Sequence, residues 1–174
     1  KLGGQGALVY LAGEEAGGNL AAALALMARD QAHPPLAGQI LLSPMLDPCV
    51  GSASQRRTTG DAVDCKWVQG WRNFLRCPRD AEHPYAVPAS AHRLAGLPPT
   101  LVLVGDTDPM RDEALAYAAR LHAAGLQVTQ HVFAKAEKWP EPLLETGPHE
   151  CPCAGAVQEE FRRFFEATRC RESS

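Results

Sequence analysis

The sequence predicts an α/β domain: a mostly parallel sheet with helices on both faces. Three observations predict it. Short apolar runs alternate with helix-favouring stretches along almost the whole chain, the order expected of β-α-β crossovers. The runs themselves, Ala7–Ala12, Gln39–Leu42 and Thr100–Val104, are predominantly apolar and only four to six residues long, as buried strands are. Glycine and proline punctuate the joins. At 174 residues the chain is read as a single domain, 1–174.

Taken in order, Ala7–Ala12 is a strand bounded by glycines. Asn19–Asp30, rich in Ala, Leu and Met, favours helix, and its nearly all-round apolar surface predicts deep packing. His33-Pro34-Pro35 stops it. Gln39–Leu42 forms the next strand and ends at Ser43-Pro44, and the polar, basic stretch Gly51–Asp64 reads as a solvated loop. Within Cys65–Leu75, Trp67, Trp71 and Phe74 recur at about helical spacing, which marks them as core aromatics of an amphipathic helix or, as the alternative, as the lining of a substrate pocket. Pro78–Pro88 is an extended connection. Thr100–Val104 is a third strand. Pro109–Ala124 is a helix with proline in its first turn and Gly125 as its C-cap. Gln127–Phe133 alternates polar and apolar residues, as a half-exposed strand does. After the long loop Ala134–Pro152, Ala154–Thr168 gathers Val157, Phe161, Phe164 and Phe165 on one side of a last helix.

Composition narrows the function. A net charge of −3 gives no electrostatic reason to expect nucleic acid or anionic membrane as a partner. The longest apolar stretches, such as Leu20–Ala28, are too short for a membrane span of about 20 residues. Without an export signal, the reading is a cytoplasmic protein whose six cysteines are reduced thiols. His149-x-Cys151-x-Cys153 lacks the paired spacing of zinc sites and is broken by Pro148 and Pro152, so neither metal nor cofactor is expected. The first residue, Lys1, suggests a processed chain or a fragment.

In open α/β sheets, sites lie at the carboxyl ends of strands. That rule selects Gly13–Gly18, Gly105–Pro109 and the loop after Phe133. The first has the form of a nucleophile elbow, with small residues around a central side chain held above the sheet. The central residue is Glu15, and the next backbone N–H, that of Ala16, is placed to donate to an oxyanion. Asp108, just before Pro109, either carries chemistry or caps the following helix.

Together these segments resemble the hormone-sensitive-lipase-like carboxylesterases of the α/β-hydrolase fold. Gly13–Leu20 (GEEAGGNL) is similar to that family's GDSAGG motif, Pro84–Pro88 (PYAVP) to its PYASP segment, and Leu97–Thr100 (LPPT) to its approach to the next strand. Gly105–Glu113 (GDTDPMRDE) resembles its catalytic-acid motif, and Gly125 and His131–Phe133 extend the match. The resemblance implies the C-terminal portion of the fold, truncated on its N-terminal side, with Glu15 at the nucleophile position and Asp108 at the triad-acid position. The family's histidine position falls on Glu137-Lys138-Trp139, so Lys138 stands at the usual place, and His149 is a displaced candidate base. Lys138 either forms a charge cluster with Glu15 and Asp108 or is an exposed lysine on the loop. No His-Gly-Gly oxyanion motif occurs in the sequence.

Serine-triad hydrolysis requires a hydroxyl, a base and an oxyanion hole. The implied function is therefore that of a protein related to carboxylic ester hydrolases, with this chemistry impaired or lost. The alternative is a non-catalytic module binding a small ester-like molecule or a protein. A strand at Ala7–Ala12 lacking an outer neighbour is further expected to give a homodimer through a sheet edge, poor solubility, or a compensating cover over that edge.

Overall fold

A computed structural model describes residues 7–48, 52–59, 66–134, 139 and 153–169. Its sheet has four strands, β1 (Tyr10–Glu14), β2 (Gly38–Leu42), β3 (Thr100–Gly105) and β4 (Val128–Phe133), in the order β1-β2-β3-β4 and parallel throughout. Five α-helices, α1 (Ala16–Gln31), α2 (Ala53–Thr59), α3 (Lys66–Phe74), α4 (Arg111–Ala123) and α5 (Ala154–Arg169), and two short 3-10 helices, Pro78–Glu82 and Pro88–Ser90, complete the described elements, so the connection read as extended begins as a helical turn. The parallel register runs Tyr10 to Gly38, Gln39 to Thr100 and Thr100 to Val128, which levels the carboxyl ends of the strands.

The two-residue periodicity of β2 and β3 divides the core. Leu41 and Val102 turn to one face and meet α1 (Ala22, Ala25, Leu26) and α4 (Ala114, Tyr117, Leu121). Ile40, Leu101 and Leu103 turn to the other, with Phe133 and Phe164 of α5. Helices thus cover both faces, and the central strands are buried on each side, as their unbroken apolar runs require. Small residues on α1 bring its axis close to the sheet. Gly125 adopts φ +80° after α4 and lets Leu126 N–H reach Leu121 O at 3.2 Å, the αL stop expected there.

Three expectations need correction. Part of the segment read as a solvated loop is helical, α2, because tertiary bonds fix it. Ser54 N–H donates to Asp112 Oδ2 at 2.8 Å, and the Ser54 hydroxyl donates to Pro109 O at 2.7 Å. A seven-residue helix shows no periodicity of its own to read. Second, α1 is not buried all round: Leu20 and Leu24, one turn apart, are 52% and 48% exposed. Third, Cys153 is disulfide-bonded rather than a reduced thiol, which removes the compartment argument drawn from free cysteines. Among the described residues, no helix is long and apolar enough to cross a membrane.

Candidate functional site

The corner between β1 and α1 holds Glu15 at φ 47° and ψ −116°, a conformation that side chains other than glycine rarely take. Backbone pairing imposes it. Glu15 N–H donates to Leu42 O at 3.0 Å, while Glu15 O accepts from Met45 N–H at 3.0 Å and Asn19 N–H at 3.2 Å. Gly13 is needed for closure, because a Cβ there would stand 2.0 Å from the carbonyl oxygen of Gly17. Gly18 is needed for packing, since its Cβ would come 2.8 Å from Cβ of Pro44. The strained elbow predicted from GEEAGG is present, with a carboxylate as its central side chain.

Asp108 follows β3 and is only 2% exposed. Its Oδ1 accepts from Met110 N–H at 2.7 Å, so it serves the start of α4. Its Oδ2 accepts the Ser43 hydroxyl and, at 3.0 Å, the indole N–H of Trp139. That N–H lies 3.2 Å from Ser43 Oγ as well. Burial pushes the Asp108 carboxyl above its usual range, against the Ser43, Met110 and Trp139 donors that pull it down. The indole is locked from two sides. It stacks on Phe133 with centroids 4.7 Å apart and planes at 20°, and it fills the space beside Gly105, whose Cβ would meet Trp139 Cδ1 at 2.6 Å.

Glu15 and Asp108 stand at the same end of the sheet and sense each other's charge. Burial raises the Glu15 carboxyl, Lys66 lowers it, and Glu14 and Asp108 raise it again. Glu15 also borders a cavity of about 260 Å³, together with Ala16, Asn19, Met45, Lys66 and the α3 aromatics Trp67, Trp71 and Phe74. Trp67 and Trp71 are buried as expected, whereas Phe74 is 48% exposed. All three wall the cavity, so this helix carries the site's apolar lining, the alternative to a core role. Ala16 opens α1, where its N–H has no acceptor within the helix.

The candidate residues divide accordingly. Glu15, Ala16 and Asp108 come together at the predicted end of the sheet. Lys138 and His149 lie outside the described residues. The side chain seen on Asp108 is Trp139, one position beyond Lys138, and the described lysine acting on Glu15 is Lys66.

Sequence reasoning passed over Ser43, although Ser43-Pro44 closes β2 at the favoured end of the sheet. It also passed over Glu113, which accepts from Asp47 N–H at 2.9 Å and is pushed up to about 8 by burial. Among the described residues, no group of three His, Cys, Asp or Glu side chains is placed to hold a metal ion.

Residues 1–137 match the alpha/beta hydrolase fold family. The chain is 33% identical over 127 residues to esterase LipI of Mycobacterium tuberculosis, covering 71% of this chain and 39% of LipI. It is 37% identical over 128 residues to the gibberellin receptor GID1A of Arabidopsis thaliana, covering 69% of this chain and 36% of the receptor. The solved structure of esterase LipW from Mycobacterium marinum superposes with a TM-score of 0.75 at 32% identity, over 91% of this chain and 49% of LipW. The chain spans half or less of the length of these relatives.

Proposed function

Because the chain belongs to the α/β-hydrolase fold family, among its carboxylesterase relatives, we propose that it has lost serine-triad ester hydrolysis and uses the remaining pocket to bind a small apolar molecule. The observation carrying this reading is the indole on Asp108. A triad acid orients a base by accepting its N–H; the base then takes a proton on its other nitrogen. Trp139 supplies the N–H and nothing more, since an indole has no basic nitrogen. Ser43, the hydroxyl beside the acid, is 1% exposed and so shielded from a substrate. Glu15 occupies the nucleophile's corner, and carboxylate attack on an ester would yield an anhydride, an uphill route without strong assistance.

The cavity supports the binding half of the proposal. Trp67, Trp71, Phe74 and Met45 give it an apolar wall, with a few polar groups set among them, as ligand pockets have. Its volume, near the low end for such pockets, suits a molecule of about one ring. That a relative in the same family is named a receptor, not an esterase, fits a binding role.

The test is turnover of a short p-nitrophenyl ester by the full chain, beside Asp108→Asn, His149→Ala and Glu15→Ser. Identical background rates in all four are expected. Turnover that collapses in Asp108→Asn or His149→Ala would overturn the proposal and restore a working base.

A further inference from the structure

The elbow cavity carries polar atoms that find no partner among the described residues. Glu15 Oε1 is buried and meets no hydrogen-bond donor. One helical turn on, Asn19 is 3% exposed and lines the same cavity; its amide N–H₂ donates to Ala86 O at 3.2 Å, while its Oδ1 is likewise unpartnered. Buried acceptors in native proteins are overwhelmingly satisfied, because each one left unmade costs its full desolvation. Trp67 Nε1 is the third unpartnered atom among the lining residues and the one donor of the three. Acceptors therefore outnumber donors, and one acceptor is a carboxylate. Burial raises that carboxyl above its ordinary value, and Lys66 at the cavity's margin pulls against the rise.

We infer that the cavity recognises a small aromatic or alkyl amine, its ammonium donating to Glu15 and Asn19 and its apolar body lying against Trp67, Trp71 and Met45. This rests on the binding role proposed above and names the ligand's class. The Glu15 carboxylate supplies charge, Asn19 Oδ1 supplies direction, and Trp71 and Met45 supply apolar contact, while one face of Trp67 already carries the Lys66 ammonium, 5.4 Å from the ring centroid. An acid of the same shape would bring like charge against Glu15, and an alcohol would offer a donor without charge.

The experiment is titration calorimetry on the full chain with three probes sharing one body: phenethylammonium, 2-phenylethanol and 3-phenylpropanoate. A charge-assisted hydrogen bond in a partly buried site separates the amine from the alcohol by about tenfold to a hundredfold. The expected order is amine tightest and acid weakest. Glu15→Gln, which keeps the side chain's shape, should bring the amine down to the level of the alcohol.

If the amine and alcohol bind equally, or the acid binds best, the inference falls while the apolar pocket stands. If none of the three binds, both the inference and the binding role fall. The probe series needs no variant, so a misfolded Glu15→Gln would leave the comparison intact.

Discussion

Replacing Trp139 by Phe removes the indole N–H and keeps an aromatic ring over Phe133. The N–H reaches the buried Asp108 carboxyl at 3.0 Å and the Ser43 hydroxyl at 3.2 Å. A hydrogen bond to a charged group contributes about 1.5–3 kcal/mol. The smaller ring also leaves space beside Gly105, and partial collapse there adds about 1 kcal/mol. The expected loss is thus about 2.5–4 kcal/mol, or a fall in melting temperature of roughly 5–15 °C for a chain of this size.

Urea unfolding should show a lower midpoint with an unchanged slope, the signature of lost stability without a changed unfolded state. The same substitution in an Asp108→Asn background isolates the pair. Coupling of at least about 1 kcal/mol is expected, because the two groups touch. A loss below about 0.5 kcal/mol, or no coupling, would refute the reasoning that Trp139 is the partner of the acid.

Glu113 gives a pH signature. Its carboxyl is pushed up to about 8 from an ordinary 4.5, so the folded state holds a proton that the unfolded state has released across that window. Its contribution is full below about 4.5 and falls as pH rises through about 8, with a slope of up to about 1.4 kcal/mol per pH unit. Urea midpoints at pH 5.5 and 8.5 should differ, and Glu113→Gln should shrink the difference; an unchanged profile would count against the assignment. At the elbow, Glu15→Gly relieves a non-glycine residue at φ 47° and removes a buried, unpartnered oxygen, so thermal melts should show a gain of about 1 kcal/mol. A loss would mean that the Glu15 side chain stabilises the corner. Finally, among the described residues β1 pairs on one side only, and we propose that its other edge recruits a second copy. Sedimentation should show concentration-dependent dimers, and a clean monomer across the accessible range argues otherwise.

The sheet was legible because its information is local. Buried parallel strands are written as unbroken apolar runs, and Gly125 and Pro109 mark the ends of α4 without reference to the rest of the chain. The elbow was legible for the same reason: Gly13 and Gly18 answer clashes within a few residues of Glu15 and with Pro44 nearby. What escaped depends on distant partners. Helix α2 exists through Ser54 and its bonds to residues 109 and 112. The aromatics of α3 have the periodicity of core residues, and only the tertiary placement of α3 beside Glu15 turns them into pocket walls. Trp139 sat in the triplet Glu137-Lys138-Trp139, and attention went to the lysine's charge. The useful clue was that an indole shares with imidazole the N–H that a buried carboxylate seeks.

The survival of the elbow and of Asp108 carries little weight as a sign of catalysis, since each has a structural duty that outlives the reaction. The corner is set by the carbonyl and amide groups of Glu15 paired with Leu42, Met45 and Asn19, bonds indifferent to the side chain. Asp108 holds Met110 N–H at the approach to α4 and binds the Ser43 hydroxyl at the end of β2, so its loss would disturb two elements whether or not a base stood beside it. Chemistry is decided where no such duty exists: at the side chain above the corner and at the group on the far side of the acid. On the proposed reading, both positions depart from the family's pattern together: Glu15 stands over an aromatic cavity where a hydroxyl is expected, and among the described residues the side chain on Asp108 is an indole that cannot take a proton. The structural duties of Asp108 account for its hydrogen-bond shell without any reaction, so it is the open, apolar cavity beside the elbow that argues for the binding role proposed above.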